Sequence, residues 1–90
     1  MKEHNLTVDV HASWGDVCPR YRVYVDGDLL TERDFIWPGS TQYIKENIIV
    51  NLSAGSHTLQ VEQVNTGGTI RTENVTLDGV ASSYEFVTTE

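Results

Sequence analysis

Residues 21–30 read Tyr-Arg-Val-Tyr-Val-Asp-Gly-Asp-Leu-Leu, and this stretch decides the fold. Tyr21, Val23 and Val25 alternate with Arg22, Tyr24 and Asp26, the period-2 pattern of a strand with one buried face. Asp26-Gly27 then supplies the pair that a type I′ turn demands, because both central residues of that turn need positive φ. A two-residue hairpin is expected, with a return strand over about Leu29 to Trp37 that stops at Pro38-Gly39.

Outward from this hairpin the same period recurs. Upstream, Leu6, Val8, Val10 and Ala12 share one face, with Thr7, Asp9 and His11 on the other. Downstream, a strand from Tyr43 to Leu52 carries Ile44, Ile48, Val50 and Leu52 on one side. A turn at Ser53-Ala54-Gly55-Ser56 leads into another, where His57, Leu59 and Val61 alternate with Thr58, Gln60 and Glu62. Asn65-Thr66-Gly67-Gly68 reads as a flexible loop tip. From Ile70 to Leu77 the phase slips by one residue between Ile70/Thr72 and Val75/Leu77, so that strand should carry a bulge. Asp78-Gly79 repeats the hairpin signal ahead of a last strand through Tyr84, Phe86 and Thr88. About seven short strands with frequent turn signals indicate an all-β antiparallel sandwich, Ig-like or jelly-roll-like, as one domain over residues 1–90. No internal repeat stands out.

Composition narrows the partners. Six Lys+Arg against 13 Asp+Glu give a net charge of −7. That sign argues against nucleic acid, whose binding is driven by cations that displace counterions, and against anionic membrane surfaces. A hydrophobic share of 39% and a charged share of 21% indicate a folded chain. The one cysteine, Cys18, closes no disulfide within the chain, and no apolar leader follows Met1. A protein made in a cytoplasm, without a signal peptide, is the expectation.

Chemistry-bearing patterns are sparse. Nucleophilic catalysis needs an activated nucleophile beside a base. Cys18 precedes Pro19 in a loop, and His4, His11 and His57 fall on or near separate strands as ordinary surface or edge residues. Glu32 and Asp34 share a face, but one that reads as the solvent side of a strand. Asp16, Asp26, Asp28 and Asp78 are oxygen donors of the kind calcium takes, yet the two Asp-Gly pairs are already explained as turns. The sequence therefore points to no catalytic residue, no metal and no cofactor. Trp14 and Trp37 adjoin Gly15 and Pro38-Gly39, which places them at strand ends as partly exposed anchors. The expected binding surface comprises Trp14, Trp37, Phe35 and Tyr43, with Arg20 or Arg33 at the rim, since aromatics and Arg are favoured at interface centres.

Three blocks, CPRYRVYVDGDLLTERDFIWP (18–38), YIKENIIVNLSAGSHTLQVE (43–62) and NVTLDGVAS (74–82), resemble small β-sandwich proteins of tailed phages, especially those of marine cyanobacteria. The resemblance covers about residues 5–88 and implies a non-enzymatic virion protein. Such a protein decorates or cements a capsid, or belongs to a tail, with other virion proteins or further copies of itself as partners. It would be assembled in the host cytoplasm. The Asp-Gly hairpin and the AGSHTL turn also resemble jelly-roll carbohydrate-binding modules, which implies as the alternative a glycan-binding module using exposed aromatics such as Trp14 or Trp37. Neither resemblance carries a functional motif over to particular residues.

Overall fold

The computed structural model describes residues 1–36 and 43–89. It contains eight strands: β1 (Lys2–Ser13), β2 (Arg20–Val25), β3 (Asp28–Asp34), β4 (Tyr43–Leu52), β5 (Gly55–Gln63), β6 (Thr69–Leu77), β7 (Val80–Ala81) and β8 (Glu85–Thr88). They form two four-stranded antiparallel sheets, in the orders β4-β1-β6-β7 and β3-β2-β5-β8. The fold is an all-β sandwich.

Both Asp-Gly pairs are the expected turns. Asp26 and Gly27 have φ of 53° and 83°, and Asp78 and Gly79 have 52° and 82°. Val25 faces Asp28 and Leu77 faces Val80, so each loop has two residues. Among the described residues these hairpins are the only pairings between consecutive strands. Every other neighbour is brought together from far along the chain, as in β1 with β6 and β2 with β5.

The alternating residues meet between the sheets. Leu6, Val8 and Val10 of β1 and Tyr21 and Val23 of β2 are fully buried, with Val25, Leu52, Leu59, Val75 and Phe86 around them. Ile44, Ile48, Val50, Val61, Ile70 and Leu77 pack against this core in part. The bulge expected in β6 is present, since Thr7 faces Thr76 while Asp9 faces Glu73. The extra residue is accommodated at Asn74, whose φ is 56°, a left-handed conformation that Asn tolerates better than most residues.

Two expectations are corrected by packing. Residues 65–68 are a close-packed joint and not a loose tip. Gly67 is buried, and a Cβ there would come within 2.5 Å of the Val17 carbonyl oxygen. Asn65 fastens the joint, donating from Nδ2 to the Cys18 carbonyl and accepting the Arg20 N–H at Oδ1. The return strand of the first hairpin ends at Asp34, earlier than Trp37. Trp37, Pro38 and Gly39 lie outside the described residues.

Candidate functional site

β3 and β4 each pair on one side only, with β2 and β1 respectively, so they are edge strands on the same side of the sandwich. Across the mouth between them Glu46 points inward from β4 and is buried at 4% exposure. A buried carboxylate needs hydrogen bonds. The Tyr21 hydroxyl donates to Glu46 Oε2 at 2.8 Å, and Arg33 donates from Nε to Oε2 at 3.0 Å and from Nη2 to Oε1 at 3.1 Å. Burial and the bond to Glu46 push the Tyr21 hydroxyl far above its ordinary value, so it stays protonated and donates. The bond to Glu46 likewise raises the Arg33 guanidinium.

Outside this closure the edges carry apolar side chains into solvent. Leu29 is 53% exposed, Ile36 59%, Tyr43 54% and Ile49 66%, with Leu30 also exposed. On β2 and β3, Arg20 pairs with Asp34 at 2.8 Å and Arg22 with Glu32 at 2.6 Å. Glu32 and Asp34 are thus exposed cross-strand partners of arginines, a solvent-side arrangement.

The expected binding residues that are described separate into three groups. Tyr43, Arg20 and Arg33 are on or beside the exposed edges. Trp14 is half-buried, packed against the end of the core with Gly68 beneath it. Phe35 is fully buried, which corrects its expected place on the surface. The reason is phase: Thr31 and Arg33 face Val23 and Tyr21 on the inward side, and Phe35 continues that alternation into the core. Trp37 lies outside the described residues.

A second polar group lies on the outer face of the other sheet. His11 stacks on Tyr43, with ring centroids 5.2 Å apart and planes 24° apart, and its Nε2 is 2.6 Å from Glu73 Oε1. That contact is close but poorly aligned as a hydrogen bond. Asp9, directly across from Lys45 and Glu73, is 7% exposed and accepts from Asn74 Nδ2 at 2.9 Å.

The histidines depart most from expectation. His4 and His57 are buried, at 6% and 8% exposure, and each holds the aspartate of an Asp-Gly turn. His57 Nδ1 donates to Asp26 Oδ2 at 2.6 Å and Nε2 donates to the Ser53 carbonyl at 2.8 Å. Both ring nitrogens face acceptors, an arrangement that favours the doubly protonated, cationic ring. The Asp26 and Ser53 bonds accordingly raise the His57 pKa. Burial works against the Asp26 carboxylate, yet His57 and the Thr58 N–H together hold its pKa below the ordinary value. His4 Nδ1 donates to Asp78 Oδ2 at 2.7 Å. The Asn5 N–H, and then His4, lower the Asp78 pKa. The sequence reading gives these histidines as ordinary surface or edge residues, although His4 shares the inward phase of Leu6, Val8 and Val10, and His57 that of Leu59 and Val61.

Among the described residues no group of three or more His, Cys, Asp or Glu is placed to hold a metal ion, and no helix is long and apolar enough to cross a membrane. Comparison with known protein families, with characterised proteins and with solved structures finds no match to this chain.

Proposed function

We propose that this chain is a non-enzymatic interaction module that serves as a structural component of a larger particle, a virion capsid or tail in the reading its sequence resemblance suggests. The observation that carries the proposal is the pair of unpaired edges, β3 and β4, with Leu29, Ile36, Tyr43 and Ile49 exposed along them. Natural edge strands are usually blunted by charge, brevity or cover, because open N–H and C=O groups recruit other strands. β3 follows that practice, with Asp28, Glu32, Arg33 and Asp34. β4 does so only weakly over its ten residues, with Lys45 its one exposed charge. An exposed apolar edge on a chain of net charge −7 is what a partner surface would cover. Quantitative mass spectrometry of purified particles tests this: a fixed copy number per particle supports it, and presence only in the host lysate refutes it.

A second reading rests on Tyr43. Its half-exposed ring lies on His11, next to Glu73 and Arg71, an aromatic platform beside hydrogen-bonding groups of the kind a sugar ring uses. On that reading a glycan array gives specific signals that Tyr43→Ala abolishes, whereas a blank array with the wild-type chain removes it.

A further inference from the structure

The two halves of the chain match one another. His4-Asn5-Leu6-Thr7-Val8-Asp9 parallels His57-Thr58-Leu59-Gln60-Val61-Glu62, and Val23-Tyr24-Val25-Asp26-Gly27 parallels Val75-Thr76-Leu77-Asp78-Gly79. The sheet orders obey the same correspondence. Advancing each strand of β4-β1-β6-β7 by four places around the cycle of eight gives β8-β5-β2-β3, which is the second sheet read backwards. Register agrees as well on the side of the β6 bulge where the Asp-Gly turns lie, and that bulge has no counterpart in the β2–β5 ladder. Leu6 faces Leu77 as Leu59 faces Val25, His4 faces Val50 as His57 faces Phe86, and Lys2 faces Leu52 as Gly55 faces Thr88.

The bonds that join histidine, neighbouring backbone and aspartate repeat in both sheets, while the His57 Nε2 bond to the Ser53 carbonyl has no counterpart at His4 Nε2 among the described residues. In one sheet His4 holds Asp78 Oδ2, the Asn5 N–H donates to Asp78 Oδ1 at 2.8 Å, and the Asp78 N–H donates to the Asn5 carbonyl at 2.7 Å. In the other, His57 holds Asp26 Oδ2, and the Thr58 N–H donates to Asp26 Oδ1 at 2.9 Å. There the Asp26 N–H donates to the Thr58 carbonyl at 2.9 Å. Each clasp takes its histidine from one half and its Asp-Gly turn from the other. That reciprocity is the signature of an isologous contact, in which residue i of one unit meets j of the next and j meets i.

We infer that the chain is a tandem duplication of one four-strand unit, β1–β4 and β5–β8, and that the two units meet as a pseudo-twofold dimer within a single chain. Each unit contributes two strands to each sheet, so neither sheet exists without both units. The central pairs, β1 with β6 and β2 with β5, are the inter-unit interface, and the two His–Asp clasps lock it at the end where the Asp-Gly turns lie. The second unit is abbreviated, since β7 and β8 have two and four residues where β3 and β4 have seven and ten. The long open edges proposed above as the docking side therefore belong to the first unit.

Duplication makes a specific demand on the chain ends. Ser53-Ala54 joins Leu52 to Gly55, and those residues face Lys2 and Thr88 respectively. Thr88 and Lys2 must then be bridgeable by an equally short link. A circular permutant that starts at Ala54, joins Glu90 directly to Met1 and ends at Ser53 tests this with the full set of residues. It should be a folded monomer with the natural far-UV spectrum and a melting temperature within about 8 °C of the natural order. A permutant that folds only after a longer linker is inserted, or not at all, overturns the equivalence. Thermal double-mutant cycles on the natural chain supply the second arm. His4→Gln should couple with Asp78→Asn, and His57→Gln with Asp26→Asn, while His4→Gln with Asp26→Asn should be additive. Additivity in both clasps overturns the reciprocal lock.

Discussion

At the scale of single residues, buried charge decides most of what is specific here. Glu46 stays inside the sandwich because Tyr21 and Arg33 satisfy its oxygens. Arg33→Ala should cost about 1–3 kcal/mol by denaturant titration, the usual penalty of stripping a hydrogen bond from a buried charged group. Adding Glu46→Leu together with Tyr21→Phe should restore much of that loss, because neither the carboxylate nor the Tyr21 hydroxyl is then left buried without a partner. The His57 clasp makes a prediction in pH. Its pKa is raised on folding, so its stabilisation is complete below about 6.5, the unfolded value, and fades as pH rises through the folded one. The lowered pKa values of Asp26 and Asp78 act oppositely, giving stabilisation present above about 4 and lost as acid reaches their folded values. Melting temperature should therefore fall on both the acid and the alkaline side. His57→Gln should remove the alkaline fall that belongs to this ring, and an unchanged alkaline limb in that variant would contradict the assignment.

At the scale of elements, turn chemistry was the most legible feature. Asp26-Gly27 and Asp78-Gly79 specify their conformation locally, and β4 runs from Tyr43 to Leu52 as its alternation implies. The phase slip in residues 70–77 announced the bulge, because two residues facing one neighbour must shift the alternation. The role of residues 65–68 was not legible, since Gly-Gly signals freedom in isolation. Here Gly67 is glycine because the chain at Val17 and Cys18 leaves no room for a side chain, and Gly68 because Ser13 and Trp14 crowd it and its φ is 99°. Gly27 has open space around it, so Gly27→Ala should cost only the strain of a left-handed residue, about 1–2 kcal/mol. Gly67→Ala must instead displace the backbone at Val17 and Cys18 and should be the more damaging of the two by thermal melting, so the reverse order would show that the joint is loose. In the core, Leu59→Ala should cost about 2–5 kcal/mol.

At the scale of the whole molecule, alternation revealed which faces are buried but not which strands pair. Among the described residues only the two hairpins join neighbours in sequence, and the rest of the sandwich is assembled from distant contacts that no local pattern encodes. Phe35 shows the cost of reading punctuation over phase, since its nearness to Pro38-Gly39 suggested a surface position while its alternation with Arg33 and Thr31 led inward. The likeness between the halves is faint in the sequence because only a histidine, the Asp-Gly pair and a few apolar positions are shared. Those are the residues that make the clasps and the core. The apolar side chains on β3 and β4 were visible as letters, but their exposure follows from edge position, which is a property of topology. The central claim is that these edges attach the domain to a particle. Its most direct test is the copy number of the chain in purified particles, measured for wild type beside a Leu29→Lys/Ile49→Lys variant of unchanged melting temperature. The account predicts a fixed wild-type stoichiometry and a loss of about tenfold or more in the variant, as expected if the edge contributes at least 1.4 kcal/mol to attachment. Equal incorporation of both chains, or absence of wild type from the particles, would contradict it.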